Sequence, residues 1–300
     1  MCIRSNTMLR YPQAYRLVYR PPTGPSGLAC WLALPQVIAP DATPLVAVHG
    51  IRRGADLQAT LFARRAAVQG RPVIAPIFDK ENWLGYQQAV LCGRADLALL
   101  DLLLRLRREG VVRTEQIALF GFSGGAQFAH RFALLHPERV ARLSIASPGW
   151  YTFPDAESYL YGLWPRPDHA DEWSYRMVAG LDRFLAIPMR VTVGEKDCAR
   201  DKNTRSGPAI DAQQGLHRRA RAARWTRAVR QAAEELKVRP DIELHVLPNC
   251  GHDFETCVRR GGLDRIVLPE VPEPAACTGT CSPAERRACA HQQGRLEVVS

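Results

Sequence analysis

The chain has 300 residues, 46% of them hydrophobic, and carries a formal net charge of +10. This length allows one large hydrophobic core or at most two small domains. No internal repeat and no run of eighteen apolar residues is present, and residues 1–22 lack the apolar stretch of a secretion signal, so we expect a cytoplasmic protein with no membrane span.

Eight short apolar or β-branched runs predict strands, and helical patterns separate most of them. In chain order the runs are a hairpin-like pair at 13–20 and 29–35, strands at 44–50, 71–77, 116–121, 142–148, 189–197 and 241–248, and helices at 55–68, 86–108, 124–136 and 217–237. Apolar runs without alternation are typical of strands buried on both faces. The sequence therefore predicts an α/β fold with an eight-stranded, mostly parallel sheet flanked by helices.

One segment interrupts this alternation. Residues 149–188 hold nine aromatic residues in forty, well above the 8% of the whole chain. We interpret the segment as an insertion over the ligand-bearing edge of the sheet, and a peripheral subdomain with its own small core is the alternative. Residues 1–268 are predicted to form a single domain, and the irregular pattern of 269–300 predicts a mobile tail.

The stretch GFSGG at residues 121–125 follows a predicted strand and opens a predicted helix. This is the context that the pattern G-x-S-x-G requires, because a sharp strand-to-helix turn exposes the central serine above the sheet. Flanking glycines allow the close backbone approach that such a turn needs. Ser123 is therefore the predicted nucleophile, with an N-cap serine on a packed helix as the alternative.

A serine hydroxyl is a weak nucleophile and needs a base within hydrogen-bonding reach. His252 lies in the sequence LPNCGHDF, directly after the last predicted strand. The base in turn needs a carboxylate to orient it. Asp197 closes the run VTVGEKD, and Glu195 and Asp201 are competing acids within four residues.

The sequence VAVHGIRRG predicts an oxyanion hole at the end of the third strand. A tetrahedral oxyanion needs two preorganised N–H donors. We expect one from Gly124, the residue after the nucleophile, and the other from Ile51. An ordinary turn after the strand is the alternative explanation of His49-Gly50.

These motifs together resemble the α/β-hydrolase superfamily. His49-Gly50, GFSGG, Asp197 and His252 follow the third, fifth, seventh and eighth strands, and the resemblance covers roughly residues 13–265. Within the superfamily, the residues around GFSGG are similar to bacterial esterases related to dienelactone hydrolases and polyhydroxyalkanoate depolymerases. The order nucleophile, acid, base is the order of that superfamily.

The predicted function is a serine hydrolase that cleaves a small-molecule ester through an acyl-enzyme, without cofactor or metal. The same triad also hydrolyses amides and lactones, so the predicted residues do not identify which type of acyl bond is cleaved. Phe122, Trp150 and Tyr151 are expected to contact an apolar substrate. Arg52 and Arg53 are expected to point into water, with binding of a substrate carboxylate as the alternative.

A non-catalytic binding module on the same scaffold is the second hypothesis. Six arginines lie in residues 217–237, which have the pattern of an amphipathic helix. They are Arg218, Arg219, Arg221, Arg224, Arg227 and Arg230. We expect a solvated helix face, because long arginine stems cover apolar surface while their charges stay in water. No nucleic-acid motif accompanies them, so no nucleic-acid partner is expected.

The cysteines favour free thiols over a disulfide framework. There are nine, an odd number, unevenly spread. A disulfide between Cys198 and Cys250 is the alternative, because their loops are predicted to converge. The spacing C-x3-C-x7-C-x-H at residues 277–291 differs from the close pairs of structural zinc sites, so no metal is expected there.

Overall fold

The computed structural model describes residues 14–24, 26–91, 93–165 and 172–270. Eight strands form one sheet, at the places where the sequence predicts them. They are β1 (Tyr15–Arg20), β2 (Ala29–Pro35), β3 (Leu45–Val48), β4 (Val73–Ile77), β5 (Ile117–Phe122), β6 (Val140–Ala146), β7 (Met189–Gly194) and β8 (Ile242–Leu247).

The sheet has the order β1-β2-β4-β3-β5-β6-β7-β8. Strand β2 pairs antiparallel with β1 and β4, and all later pairings are parallel. In the parallel half, Phe122 lies opposite Ala146 and Gly194 lies opposite Leu247. Because the carboxyl ends of parallel strands share one edge, the turns after β3, β5, β7 and β8 open on the same side of the sheet.

Helices flank the sheet, as predicted. They are α1 (Ala55–Val68), α2 (Ala95–Arg108), α3 (Gly124–Leu135), α4 (Glu172–Ala179), α5 (Leu181–Leu185), α6 (Pro208–Gln214), α7 (Arg218–Glu235), α8 (Phe254–Arg259) and α9 (Leu263–Val267). No helix in the described part of the chain is both long and apolar enough to span a bilayer.

The helix predicted at 86–108 is shorter than expected. Residues Tyr86–Gln88 form one 3₁₀ turn, and α2 begins only at Ala95. Between them, Ala89 and Gly93 have φ angles of 61° and 78°. Because positive φ angles do not continue a right-handed helix, the chain changes direction here.

Alternate residues of the central strands pack on opposite faces of the sheet. In β5, Leu119 belongs to the larger core together with Phe128 of α3. The next residue, Phe120, belongs to a second core with Phe62 of α1, and their ring centroids are 5.0 Å apart. Side chains alternate along a strand, so covering both faces produces the continuous apolar runs of the sequence.

Two aromatic residues of 149–188 pack on helix α7 beside the sheet. Tyr151 is fully buried and stacks on Trp225 of α7, with 5.0 Å between ring centroids. Phe184 of α5 meets the same indole edge-on. Most of the predicted tail at 269–300 lies outside the described residues, including the cysteines of 277–291, so the tail stays a prediction.

Candidate active site

Ser123 occupies the sharp turn between β5 and α3. Its backbone has φ 56° and ψ −115°, a conformation that residues with a side chain rarely adopt. The N–H of Ser123 donates a 2.8 Å hydrogen bond to the carbonyl of Ala146 on β6, which holds the turn in place. The sheet therefore enforces the strained conformation that a nucleophile elbow requires.

Two glycines of GFSGG are required by the close approach of other backbone atoms. A β-carbon on Gly121 would overlap the carbonyl oxygen of Gly125, and one on Gly125 would overlap the carbonyl oxygen of Val48. The start of α3 thus lies directly against β3 and β5. Any larger residue would push the helix, and Ser123 with it, away from the sheet.

The structure brings Ser123, His252 and Asp197 together. His252 Nε2 lies 3.0 Å from Ser123 Oγ, and His252 Nδ1 lies 2.9 Å from Asp197 Oδ2. Because a carboxylate only accepts hydrogen bonds, Nδ1 carries the proton and Nε2 is free to accept one from the serine. The imidazole also stacks on Phe122, with 5.1 Å between ring centroids.

Asp197 is buried, with 4% of its surface exposed, and lies just after β7. Burial by itself raises the pKa of a carboxyl group, yet the pKa of Asp197 lies below its ordinary value. A hydrogen bond from His252, the charges of His252 and Arg218, and a hydrogen bond from Ser147 outweigh the burial. Asp197 is therefore ionised at neutral pH.

The competing acids make other contacts. Glu195 accepts a 2.9 Å hydrogen bond from the N–H of Asn249. Asp201 accepts two hydrogen bonds from Arg218. Neither carboxylate is the one that contacts His252.

The predicted oxyanion donors also lie side by side. Gly124 is the first residue of α3, where N–H groups have no acceptor within the helix. A β-carbon on Gly124 would lie 3.5 Å from Ile51 N, so the backbones of these two residues lie next to each other. This pair lies next to the serine, where an oxyanion would form in acyl transfer.

Buried aromatic residues fix the loop that carries Ile51. Tyr86 donates a 2.6 Å hydrogen bond from its hydroxyl to the carbonyl of His49. His49 Nε2 accepts a hydrogen bond from the N–H of Phe78, so Nδ1 carries the proton and donates to the carbonyl of Gly50. Burial lowers the pKa of His49 to about 4, which makes it a neutral structural residue at neutral pH.

A cavity of about 280 Å³ opens beside Ser123 and His252. Its apolar wall is formed by Ile51, Leu57, Phe122 and Phe254. Charged groups at the cavity include Arg52, Asp201, Asp253 and Glu255. The cavity therefore offers an apolar surface next to the serine and charged groups around it.

Trp150 and Tyr151 do not line this cavity, contrary to the expectation from sequence, whereas Phe122 does. Tyr151 is buried against Trp225, and Trp150 is 6% exposed beneath the guanidinium of Arg131. Their aromatic surface is used in packing between residues 149–188 and the adjacent helices. A high aromatic content indicates buried apolar surface, but it does not distinguish a core from a ligand site.

The basic helix also differs from its prediction. Arg218 and Arg221 are buried, with 1% and 0% of their surface exposed, and only the other four arginines are exposed. Arg218 binds Asp197 and Asp201, and Arg221 binds Asp211. Sequence reasoning missed Arg218. A signal was present, because Arg218 shares a helix face with the apolar residues at 222, 225 and 229.

Other predicted features have simpler roles. Arg53 is half-buried and donates to the carbonyls of Ile51 and Trp83, whereas Arg52 is exposed. Cys198 and Cys250 are free thiols. No group of three or more potential metal ligands is found within the described residues.

No protein-family model and no curated protein sequence matches the chain. Solved structures do match. The poly(aspartic acid) hydrolase-1 of Sphingomonas sp. KT-1 is 25% identical, with a TM-score of 0.69 over 87% of this chain and 99% of that one. The poly(3-hydroxybutyrate) depolymerase LpqC of Bordetella parapertussis is 26% identical, with a TM-score of 0.66 over 83% and 86%.

A third similar structure is the S-formylglutathione hydrolase of Agrobacterium tumefaciens, which is 15% identical with a TM-score of 0.52 over 84% of this chain and 92% of that one. At this level of identity it supports the fold alone. The chain therefore has the α/β-hydrolase fold, and the solved structures that it resembles are hydrolases of that kind.

Proposed function

We propose that the chain is a serine hydrolase that cleaves carboxylic esters through an acyl-enzyme. The observation that carries the proposal is the continuous hydrogen-bonded series from Ser123 Oγ through His252 to Asp197. The names of two similar solved structures, a poly(aspartic acid) hydrolase and a poly(3-hydroxybutyrate) depolymerase, support cleavage of an acyl bond.

The proposed reaction has two halves, formation of the acyl-enzyme and its hydrolysis, and the same residues act in both. Ser123 Oγ attacks the carbonyl carbon, and its proton passes to His252 Nε2 while the Nδ1 proton stays on the hydrogen bond to Asp197. The N–H groups of Gly124 and Ile51 stabilise the oxyanion. As the intermediate collapses, Nε2 returns the proton to the leaving alcohol. In the second half, water attacks the carbonyl carbon of the acyl-enzyme while His252 Nε2 takes a proton from it. Nε2 then returns this proton to Ser123 Oγ as the carboxylic acid leaves.

We assign the acyl group of the substrate to the apolar wall beside Ser123. That wall, which includes Leu57 and Phe254, favours an apolar acyl chain. Its volume of about 280 Å³ favours short and medium-length acyl chains over long fatty-acyl chains. The acetyl and butyryl esters of p-nitrophenol are therefore suitable first substrates.

The alternative of a non-catalytic binding module has less support. It relies on the charges of residues 217–237, and two of those six arginines are internal ion-pair partners. A surface for an acidic partner on this helix would have to use the four exposed arginines alone.

The test combines fluorophosphonate labelling with hydrolysis of p-nitrophenyl butyrate. The variants are Ser123→Ala and a control, Ser174→Ala, which removes a buried hydroxyl that has no hydrogen-bond partner within the described residues. We expect wild type and control to label and turn over, and Ser123→Ala to lose at least about 10⁴-fold in kcat. Equal turnover by Ser123→Ala, or an unlabelled wild type, would reject the proposal.

A further inference from the structure

Arg218 connects the carboxylate of Asp197 to a second carboxylate. Its Nη1 lies 3.2 Å from Asp197 Oδ1 and 2.9 Å from Asp201 Oδ2. Its Nη2 lies 3.0 Å from Asp201 Oδ1. Only 1% of the side chain is exposed, so this guanidinium is shielded from solvent and directed at the two acids.

The backbone fixes this arrangement. Arg218 is the first residue of α7, and the ring of His217 caps the helix by accepting a hydrogen bond from the N–H of Ala220. The N–H of Arg219 donates to the carbonyl of Asp197 at 3.3 Å. The first turn of α7 therefore holds the loop after β7 through both main chain and side chain.

The two oxygens of Asp197 have different partners. Oδ2 faces His252 Nδ1, and Oδ1 faces Arg218. A carboxylate held at both oxygens cannot rotate about its terminal bond without losing one of these contacts. Arg218 thus fixes the oxygen that orients the imidazole.

Other titratable groups near Asp197 and His252 are either neutral or contribute charges of both signs. Arg218 therefore remains a strong electrostatic influence on Asp197. The charge of Asp197 acts on Tyr151 and Cys257, but burial raises the pKa of both, that of Cys257 to about 12, so they are neutral at neutral pH. Near His252, Asp253 and Arg52 contribute one charge of each sign.

We propose that Arg218 is a positioning residue that acts through Asp197. It fixes the carboxylate for its hydrogen bond to His252, and by sharing the negative charge it limits protonation of the resting imidazole. The inference rests on the proposed function, because it assigns His252 the role of a base that must be neutral to accept the serine proton.

The first test is the pH dependence of kcat/KM for p-nitrophenyl butyrate. The acid-side midpoint of this profile reports protonation of the catalytic base in the free enzyme. Arg218→Met removes the charge but keeps the stem, and we expect the midpoint to rise by about one pH unit and kcat to fall by about tenfold with little change in KM. Asp201→Asn removes the opposing charge and should move the midpoint down. The matched control is Arg221→Met, because Arg221 is equally buried on α7 but pairs with Asp211.

The second measurement is an NMR titration of the His252 ring, assigned with His252→Asn, which requires no turnover. An upward shift of this midpoint in Arg218→Met that is absent in Arg221→Met would support the charge-sharing role. This readout holds even if the wild-type protein is inactive, because inactivity rejects only the proposed function. Unchanged midpoints in both Arg218→Met and Asp201→Asn would overturn the inference. If Arg218→Met does not fold, Asp201→Asn decides, and an unchanged midpoint in that variant overturns the inference.

Discussion

The hydroxyl of Tyr86 donates a 2.6 Å hydrogen bond to the carbonyl oxygen of His49. This bond joins the turn at Tyr86 to the loop that carries Ile51, one of the two proposed oxyanion donors. Both groups are buried, so no solvent molecule replaces the bond without a rearrangement. The position of the Ile51 N–H therefore depends on a residue that lies outside the triad.

We expect Tyr86→Phe to lower kcat for p-nitrophenyl butyrate by about tenfold with little change in KM, because the oxyanion donors act mainly in the transition state. The matched control is Tyr159→Phe, since Tyr159 also donates its hydroxyl to a backbone carbonyl, that of Gln88. Both variants should lose about 1–3 kcal/mol of unfolding free energy. An equal loss of kcat in the two variants would show that Tyr86 has no specific effect on the oxyanion loop.

Gly125 gives a separate prediction for stability. A β-carbon at this position would overlap the carbonyl oxygen of Val48, and the central strand β3 cannot move aside within a closely packed sheet. We expect Gly125→Ala to lower the unfolding free energy by about 3 kcal/mol or more, measured by urea denaturation. Gly251→Ala is the control, because a β-carbon on Gly251 would meet no atom within 4 Å. Equal stability of the two variants would contradict the close contact.

The sequence predicted the position of a candidate site residue where that residue follows a strand. Ser123 directly follows its strand, and Asp197 and His252 lie in the loops after theirs. Parallel strands bring their carboxyl ends to one edge of the sheet. Strand order and side-chain periodicity thus determine the neighbourhood of these residues. Their hydrogen bonds depend on loop conformations that the pattern does not specify.

Residues that support the site were harder to predict. Arg218 reads as one charge among six on an amphipathic helix, and its burial depends on the carboxylates of Asp197 and Asp201 lying opposite. Trp150 and Tyr151 were expected to contact substrate but are buried in packing contacts. The sequence pattern of an aromatic residue is the same in a core and in a ligand pocket. Both cases require knowledge of which surfaces face each other, and that is a tertiary property.

Acid stability should depend on Asp96. Burial alone would raise the pKa of its carboxyl group, but hydrogen bonds from Arg94 and His136 lower the pKa from 3.8 to about 2. A lowered pKa means that the folded state binds the proton less well than the unfolded state. The resulting stabilisation is complete above about pH 4 and is lost as the pH falls towards 2, and it amounts to about 2 kcal/mol.

We therefore expect Asp96→Asn to unfold more easily than wild type at pH 7, and the difference in unfolding free energy to shrink by about 2 kcal/mol between pH 4 and pH 2. Denaturant titrations over this range measure it. Asp101→Asn, on the exposed face of the same helix, is the control and should follow wild type. A constant difference between Asp96→Asn and wild type from pH 7 to pH 2 would contradict the linkage.

The place of the acyl group can be tested at Leu57. This residue lies on α1 and lines the cavity beside Ser123. A tryptophan there would fill part of the space proposed for the far end of the acyl chain while leaving Ser123 accessible. Leu57→Trp should lower kcat/KM for p-nitrophenyl octanoate by at least about tenfold and leave that for the acetate within about threefold.

Leu61→Trp provides the matched control. Leu61 lies one turn further along α1 and is not among the described residues that line this cavity. The same added volume at Leu61 should therefore leave the ratio of octanoate to acetate activity unchanged. If Leu57→Trp lowers both esters equally, the acyl chain does not occupy this wall. The cavity would then receive the alcohol, and varying the alcohol of a fixed acetyl ester would reverse the pattern.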